Sequence, residues 1–212
     1  LPNGDFAGIY LNGGNYNIIG KMALAGRNKK ETWDQWYTGR FDLHPMKGLS
    51  VKGDYSWNRY STVQKFHRKE MTQTFPEGRD PYLVETPNYV RNYNSNNIYQ
   101  AINVWAEYKK SFNDVHNLSL MAGYNQETKH TRGFSASRDE LISNDLPSMN
   151  AATGEKYVGN SDDSWATRSG FFRVNYSFAD RYLLEVNGRY DLSSKFPKDD
   201  RSVFSPSFSL GW

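Results

Sequence analysis

Four charged residues near the C-terminal end have the spacing to act together. Glu185, Arg189 and Asp191 fall at odd positions of one segment, and Arg173 precedes them in the segment before. Two chemistries fit such a cluster. It could offer polar contacts to a hydrated solute, or its members could pair with one another as a salt-bridge network, the commoner fate of charges lining a water-filled wall. A second set is aromatic: Phe75, Tyr82, Tyr89, Tyr93, Tyr157 and Trp165. Their large amphipathic rings could stack on sugar rings or pack against a protein lid, or serve as ordinary interfacial and loop packing. Catalysis finds no support. His44, His67, His116 and His130 are scattered, with no pair at zinc-ligand spacing. No nucleophile elbow, phosphate loop or dinucleotide fingerprint occurs. Asp162-Asp163 and Asp199-Asp200 are expected in loops and could bind calcium through hard oxygens. The spacing of a dedicated calcium loop does not follow them, so solvated loop charge is the better reading and no cofactor is expected.

The elements that must position these residues read as strands. Phe172, Val174, Tyr176 and Phe178 alternate with Arg173, Asn175 and Ser177. Tyr182, Leu184, Val186, Gly188, Tyr190 and Leu192 alternate with Glu185, Asn187, Arg189 and Asp191. Phe204, Pro206, Phe208, Leu210 and Trp212 alternate with Ser205, Ser207 and Ser209. A period of two gives each strand one apolar and one polar face. An aromatic-rich apolar face opposite a charged one is the pattern of a barrel wall with lipid outside and water inside. Upstream, Trp33, Tyr37, Phe41 and Leu43 share a face, and Pro45-Met-Lys-Gly48 turns the chain into Leu49, Val51, Gly53, Tyr55 and Trp57. Ile98 to Tyr108 and Leu118 to Tyr124 form a further pair around Asn113–His116, although Trp105 falls on the polar side. Between them lie long polar stretches at about residues 61–97 and 131–164. Short and long connections therefore alternate, as they do between the periplasmic turns and extracellular loops of outer-membrane barrels. That ordering sets Pro45–Gly48, Asn113–His116 and Ala179–Arg181 at the periplasmic rim. Residues 1–32 read as an irregular lead-in, with Ile18–Ala25 as a short helix or strand, and 33–212 as a partial transmembrane barrel.

Composition agrees. Hydrophobic residues make up 37% of the 212 and aromatics 16%. A membrane barrel needs only one apolar residue in two, so its average looks polar. No stretch approaches the roughly 20 apolar residues of a membrane-crossing helix. Net charge is +3, without a run of five basic residues, which argues against a nucleic-acid partner. The chain opens Leu1-Pro-Asn-Gly and stops at Trp212 inside a strand pattern, and is read as an internal piece of a longer protein.

Arg173-Val-Asn-Tyr-Ser-Phe-Ala-Asp-Arg-Tyr-Leu-Leu184, Arg189-Tyr-Asp191 with Ser193-Ser194 and Phe196, and Pro206-Ser-Phe-Ser-Leu-Gly-Trp212 resemble the barrel of SusC-like TonB-dependent transporters of Bacteroidota. Leu192 stands where that family usually has Gly, and Ser205 where it usually has an aromatic. The resemblance implies an all-β fold: an antiparallel transmembrane barrel of 22 strands, about seven of them here, with the plug domain outside this chain. It also implies a SusD-like surface lipoprotein as lid, energy from the TonB complex through the plug, and residence in the outer membrane of a Gram-negative bacterium. The function expected is active import of oligosaccharides, with peptides as the alternative solute of the same family. The solute-binding candidates are Arg173, Glu185, Arg189 and Asp191 in the lumen and Tyr89, Tyr157 and Trp165 in loops. A passive porin and a secreted glycan-binding β-sandwich are the rival readings. A hydrolase would need a positioned carboxylate pair.

Overall fold

The computed structural model describes residues 18–73, 80 and 82–212. A seven-residue helix α1 (Ile18–Leu24) leads into strands β1 (Asn28–Met46), β2 (Leu49–Arg68), β3 (Met71–Gln73), β4 (Tyr82–Val84), β5 (Tyr89–Phe112), β6 (His116–Asp139), β7 (Lys156–Phe178), β8 (Tyr182–Ser193) and β9 (Ser202–Gly211). Seven of them make one sheet in the order β1-β2-β5-β6-β7-β8-β9, and β3 pairs with β4 separately. Chain neighbours are sheet neighbours, joined by tight turns where the sequence places them. Asn113 and Asp114 (φ 48° and 55°) and Ala179 and Asp180 (φ 52° for Asp180, 50° for Ala179) are left-handed pairs at the tips of β5–β6 and β7–β8. Two positive φ values in succession are what the hairpin turn matched to strand twist demands.

The register bears out the two-faced reading of the last three strands. Val174 faces Val186, which faces Phe208; Arg173 faces Asn187, which faces Ser207. Partners directly opposite share a face. The apolar side is bare: Phe208 is 80% exposed, Leu210 74% and Tyr37 61%. A soluble sandwich would have covered such a face with a second sheet, and among the described residues none does. Glycines on this side make room for rings. A Cβ at Gly53 would run into Phe41, and one at Gly188 into Phe172 and Phe204.

The chain divides into two compact units. One holds residues 34–60, 96–131 and 162–212, the turn ends of the strands. Its apolar face is edged by aromatics. Tyr37 and Trp57 pack at 5.7 Å between centroids, and at the turns His116 packs on Phe178 at 5.0 Å and bonds the Tyr176 hydroxyl at 2.7 Å. Tyr37 to Met46 is about ten residues, the length with which a tilted strand crosses hydrocarbon.

Of the described residues, the other unit holds 18–33, 61–73, 80, 82–95 and 132–161. The long loops expected at about 61–97 and 131–164 are mostly strand here. β2 continues to Arg68, β5 starts at Tyr89, β6 continues to Asp139 and β7 starts at Lys156. Tyr89, Tyr93, Tyr157, Trp165 and Asp162-Asp163, all expected in loops, lie in β5 and β7, and β1 begins inside the expected lead-in. The reason is solvent. Away from lipid neither face need be apolar, so segments such as Arg91-Asn-Tyr-Asn-Ser-Asn-Asn97 lose the alternation while keeping the ladder. Phe75 and the Glu77–Arg79 part of the expected loop lie outside the described residues, as does the lead-in before Ile18.

Residues 140–155 form an ordered loop. The buried Asn88 amide donates to Leu141 O (3.2 Å) and its oxygen accepts from Leu141 N (2.7 Å). Arg138 donates to Gly154 O and Met149 O, each at 3.1 Å, and Val90, Leu141 and Ala152 form a small core. On β2, burial and then Lys69 push the His67 imidazole below its ordinary pKa, against the opposing pull of Asp145. Its neutral form is therefore the folded one. The stability it contributes is whole above the unfolded value near 6.5 and is lost as pH falls below that, because the unfolded chain then binds the extra proton. Hydrogen-exchange protection of residues 61–73 and 82–95 in the full-length protein, corrected for the pH dependence of the intrinsic rate, should fall between pH 7.5 and 5.5, by no more than about 1.4 kcal/mol per pH unit. His67→Gln should flatten that dependence; an unchanged slope in the variant would exclude His67 as its source.

Candidate functional site: the polar face

The polar face carries the candidate chemistry. Strand parity puts Arg173, Glu185, Arg189 and Asp191 there together, as the sequence indicates. Their contacts divide them into two groups. Arg173 Nε donates to Asn187 Oδ1 at 2.7 Å, and Asn187 Nδ2 donates to Glu185 Oε1 at 2.8 Å, so an amide links cation to anion. Arg189 Nε donates to both Asp191 oxygens at 2.8 and 3.0 Å. Its Nη2 donates to Ser169 Oγ at 3.0 Å, and the nearly buried Ser169 hydroxyl donates to Asp191. Each charge is thus met by a neighbour on its own or an adjacent strand. The network reading of the cluster describes these contacts, and Arg173 and Arg189 both keep an exposed side.

Nearer the turns the same face is hollowed by about 630 Å³, lined by Asn117, Ser119, Asn175, Ser177, Glu185 and Ser209 among others. Hydroxyls and amides predominate on its polar side, which suits contact with water or a hydrated surface.

Aromatics occupy five polar-face positions that alternation would give to polar residues. The Phe171 ring lies over Gly123, where a Cβ would overlap it and sit 2.8 Å from Trp105 Cβ. Trp105 keeps its place on the polar side with no structural explanation. Further from the turns, Trp36 of β1 packs on Tyr99 of β5 at 6.0 Å, and Tyr99 on Trp165 of β7 at 6.5 Å. The three rings form a row across the sheet. Lys195 Nζ lies 4.8 Å over the Trp165 ring, and the Tyr99 hydroxyl is hydrogen-bonded to Glu127. Trp36 is 58% exposed. Of this row the sequence reading singled out Trp165 alone. The missed signal was parity, since Trp36 shares its phase with Asp34, Arg40 and Asp42.

The other aromatic candidates belong to the second unit. Tyr89 stacks on Phe66 at 5.2 Å under the Arg68 guanidinium, 4.4 Å from its ring centre. Tyr157 is 58% exposed near the start of β7. The structure does not gather Tyr89, Tyr157 and Trp165 into one site. Asp162, set aside as a loop ligand, accepts from His130 Nε2 at 2.7 Å. Because Gly123 leaves no room for a side chain, Gly123→Val should destabilise the full-length barrel by about 1–3 kcal/mol, the ordinary cost of overpacking. Urea unfolding in detergent should show a lowered midpoint, and pairing it with Phe171→Ala should restore part of the loss. Equal midpoints for Gly123→Val and wild type would refute the packing account.

Comparison with known proteins agrees with this geometry. A family model described as "TonB dependent receptor-like, beta-barrel" matches residues 1–212. TonB-dependent receptor P3 of Formosa agariphila is 34% identical over 107 residues, 50% of this chain and 11% of that protein. TonB-dependent receptor P26 of the same organism is 26% identical over 211 residues, 92% and 19% respectively. TonB-dependent receptor SusC of Bacteroides thetaiotaomicron is 31% identical over 118 residues, 53% and 11%. The chain therefore spans between about a tenth and a fifth of the length of these relatives. Among solved structures, the RagAB peptide transporter superposes with a TM-score of 0.80 at 20% identity, over 98% of this chain and 23% of that one. The RagAB peptide importer in its open-open state gives 0.81 at 21% identity, over 97% and 22%. With a matching family model along its whole length and SusC among its relatives, this chain belongs to the TonB-dependent receptor β-barrel family.

Proposed function

We propose that this chain is a panel of the barrel wall of an outer-membrane importer of SusC type, and that its solutes are oligosaccharides. The observation that carries the solute class is the row Trp36–Tyr99–Trp165. Three rings at contact distance on the polar face, tilted to one another, offer apolar ring surface beside water, which suits the apolar faces of sugar rings. The charges beside them are matched, so they hold the wall together more than they attract a net charge. In this reading a SusD-like lipoprotein closes over the loop ends. The TonB complex, acting on a plug outside this chain, drives release. The turn tips of the hairpins face the periplasm of a Gram-negative cell, and the loop that contains Asp145 faces outward.

What supports the family side is the SusC kinship and the bare apolar face edged by aromatics. RagAB, whose structures are titled as those of a peptide transporter or importer, has the same fold, so peptides are the outcome to test against. Cells that depend on the full-length protein for uptake should lose oligosaccharide import by about three- to tenfold per ring on Trp36→Ala or Trp165→Ala, in line with about 0.5–1.5 kcal/mol per aromatic contact. A defect in peptide uptake with sugar uptake intact would assign the row to peptides. Uptake that persists without the TonB complex would make the barrel passive. These 212 residues contain no Cys; with any cysteines elsewhere in the full-length protein replaced, an introduced thiol reports orientation. A membrane-impermeant maleimide should label Asp145→Cys on intact cells and leave Asp114→Cys untouched; the reverse pattern would invert the proposed topology.

A further inference from the structure

The second unit holds a cleft of about 410 Å³ that none of the above assigns, lined by Asn28, Gln64, Phe66, Tyr89, Arg91 and Tyr93. Tyr89, Arg91 and Tyr93 share one phase of β5, and the Phe66–Tyr89 stack puts Phe66 of β2 on that side with them. One wall is aromatic: Phe66 and Tyr89 stack 5.2 Å apart with 30° between their planes. Beside it stand two guanidiniums in different states. Arg68 is committed, its Nε and Nη2 donating to Pro87 O at 3.1 and 2.6 Å while its plane covers Tyr89. Arg91 is exposed, and among the described residues it has no recorded carboxylate partner. Contrast the other charged pairs of this unit: Lys21 meets Glu85, Lys29 meets Glu31 and Lys69 meets Asp145. The amide pair at the mouth is half satisfied. Gln64 Nε2 donates to Asn28 Oδ1 at 2.7 Å, which leaves donor hydrogens on Asn28 Nδ2. The lining thus offers an unpaired planar cation, spare amide N–H groups and a stacked aromatic wall, with no carboxylate of its own.

From this we infer that the cleft is a binding site for a carboxylate carried beside a flat or ring-shaped group, with Arg91 as the anion-binding residue. A guanidinium grips a carboxylate through two parallel N–H donors, and such charge-assisted bonds outweigh neutral ones. The Phe66–Tyr89 wall takes the adjoining ring or apolar face. Uronic-acid units of a glycan and acidic side chains of a peptide both present this chemistry. The inference rests on the importer reading above, which supplies the solute.

The experiment uses the full-length transporter in detergent at low salt and two matched pairs of probes. One pair is a linear trimer of galacturonic acid and its fully methyl-esterified, neutral form. The other is an N-acetylated, C-amidated tetrapeptide with two glutamates and its diglutamine counterpart. Calorimetry should find at least one acid bound about tenfold more tightly than its neutral partner, the scale of one charge-assisted bond near the surface. Preference for the trimer assigns a glycan source, and preference for the peptide a peptide source. Arg91→Gln should abolish the preference while leaving the neutral probe's affinity unchanged; Arg91→Lys should keep part of it. The inference is overturned if neither acid is preferred or bound, or if the preference survives Arg91→Gln. Uptake of a neutral solute by Arg91→Gln cells, measured alongside, separates the two readings. If it continues at the wild-type rate, a missing acid preference counts against the cleft alone. If the wild type itself takes up nothing, the importer reading fails first.

Discussion

Hydrocarbon offers no hydrogen bonds, so each backbone N–H and C=O inside it must be met by another part of the protein. That constraint shapes the sheet. Each membrane-crossing segment pairs with the one before it, β7 with β8 and β8 with β9 along nearly the whole of their shared length. Left-handed two-residue turns keep the pairing going around the tips at Asn113-Asp114 and Ala179-Asp180. Ala179 adopts φ 50° without being Gly or Asn, and its N–H is used as well, donating to Val115 O at 2.6 Å in the neighbouring hairpin. β1 and β9 stand at the sheet edges. A barrel of this family closes only when those edges are paired.

With the backbone satisfied, side chains divide by face. The lipid side tolerates almost any apolar residue, and its fine structure comes from glycines under aromatic rings, Gly53 under Phe41 and Gly188 between Phe172 and Phe204. The polar side solves a harder problem, because its charges are only partly hydrated. Asn187 joins Arg173 to Glu185, and Ser169 joins Arg189 to Asp191. Small neutral residues thereby let unlike charges meet across strands spaced about 4.8 Å apart. The same face also accommodates rings. Gly123 leaves space for the Phe171 ring, and Trp36, Tyr99 and Trp165 supply one another's contacts.

This division explains which parts of the fold were legible in the sequence. Strand existence, face and tight turns were readable wherever lipid imposes a period of two: Tyr182 to Leu192 reads as one strand because five of its alternate residues are apolar and its partners match in register. Strand length was not readable. β2, β5, β6 and β7 run on past the apolar band for as long as they pair, and pairing between polar residues leaves no periodic mark. The charged cluster was legible as a set, since all four members share a parity. Its internal pairing was not, because Asn187 and Ser169 carry no charge to suggest them. The aromatic row was only partly legible, because a lone Trp among polar residues shows no partner until the strands that lie between Trp36, Tyr99 and Trp165 in sequence are set side by side.

The limit of the lipid period also separates what is fixed from what is free. Inside the apolar band every second residue answers to hydrocarbon and the others to their neighbours across the ladder, so few positions can vary independently. In the loop-side halves of the strands both faces answer only to water and to whatever binds there. Those halves still have a rigid ladder beneath them, which positions a side chain more sharply than a free loop would. Residues there can change one by one without disturbing the barrel. Arg91 is such a residue: it stands on a strand held by Phe66, Arg68 and Tyr89 at one side and is not itself needed for their contacts. Extending strands beyond the membrane therefore does more than lengthen the wall. It gives an otherwise constrained sheet a region in which side chains can vary while the fold stays the same.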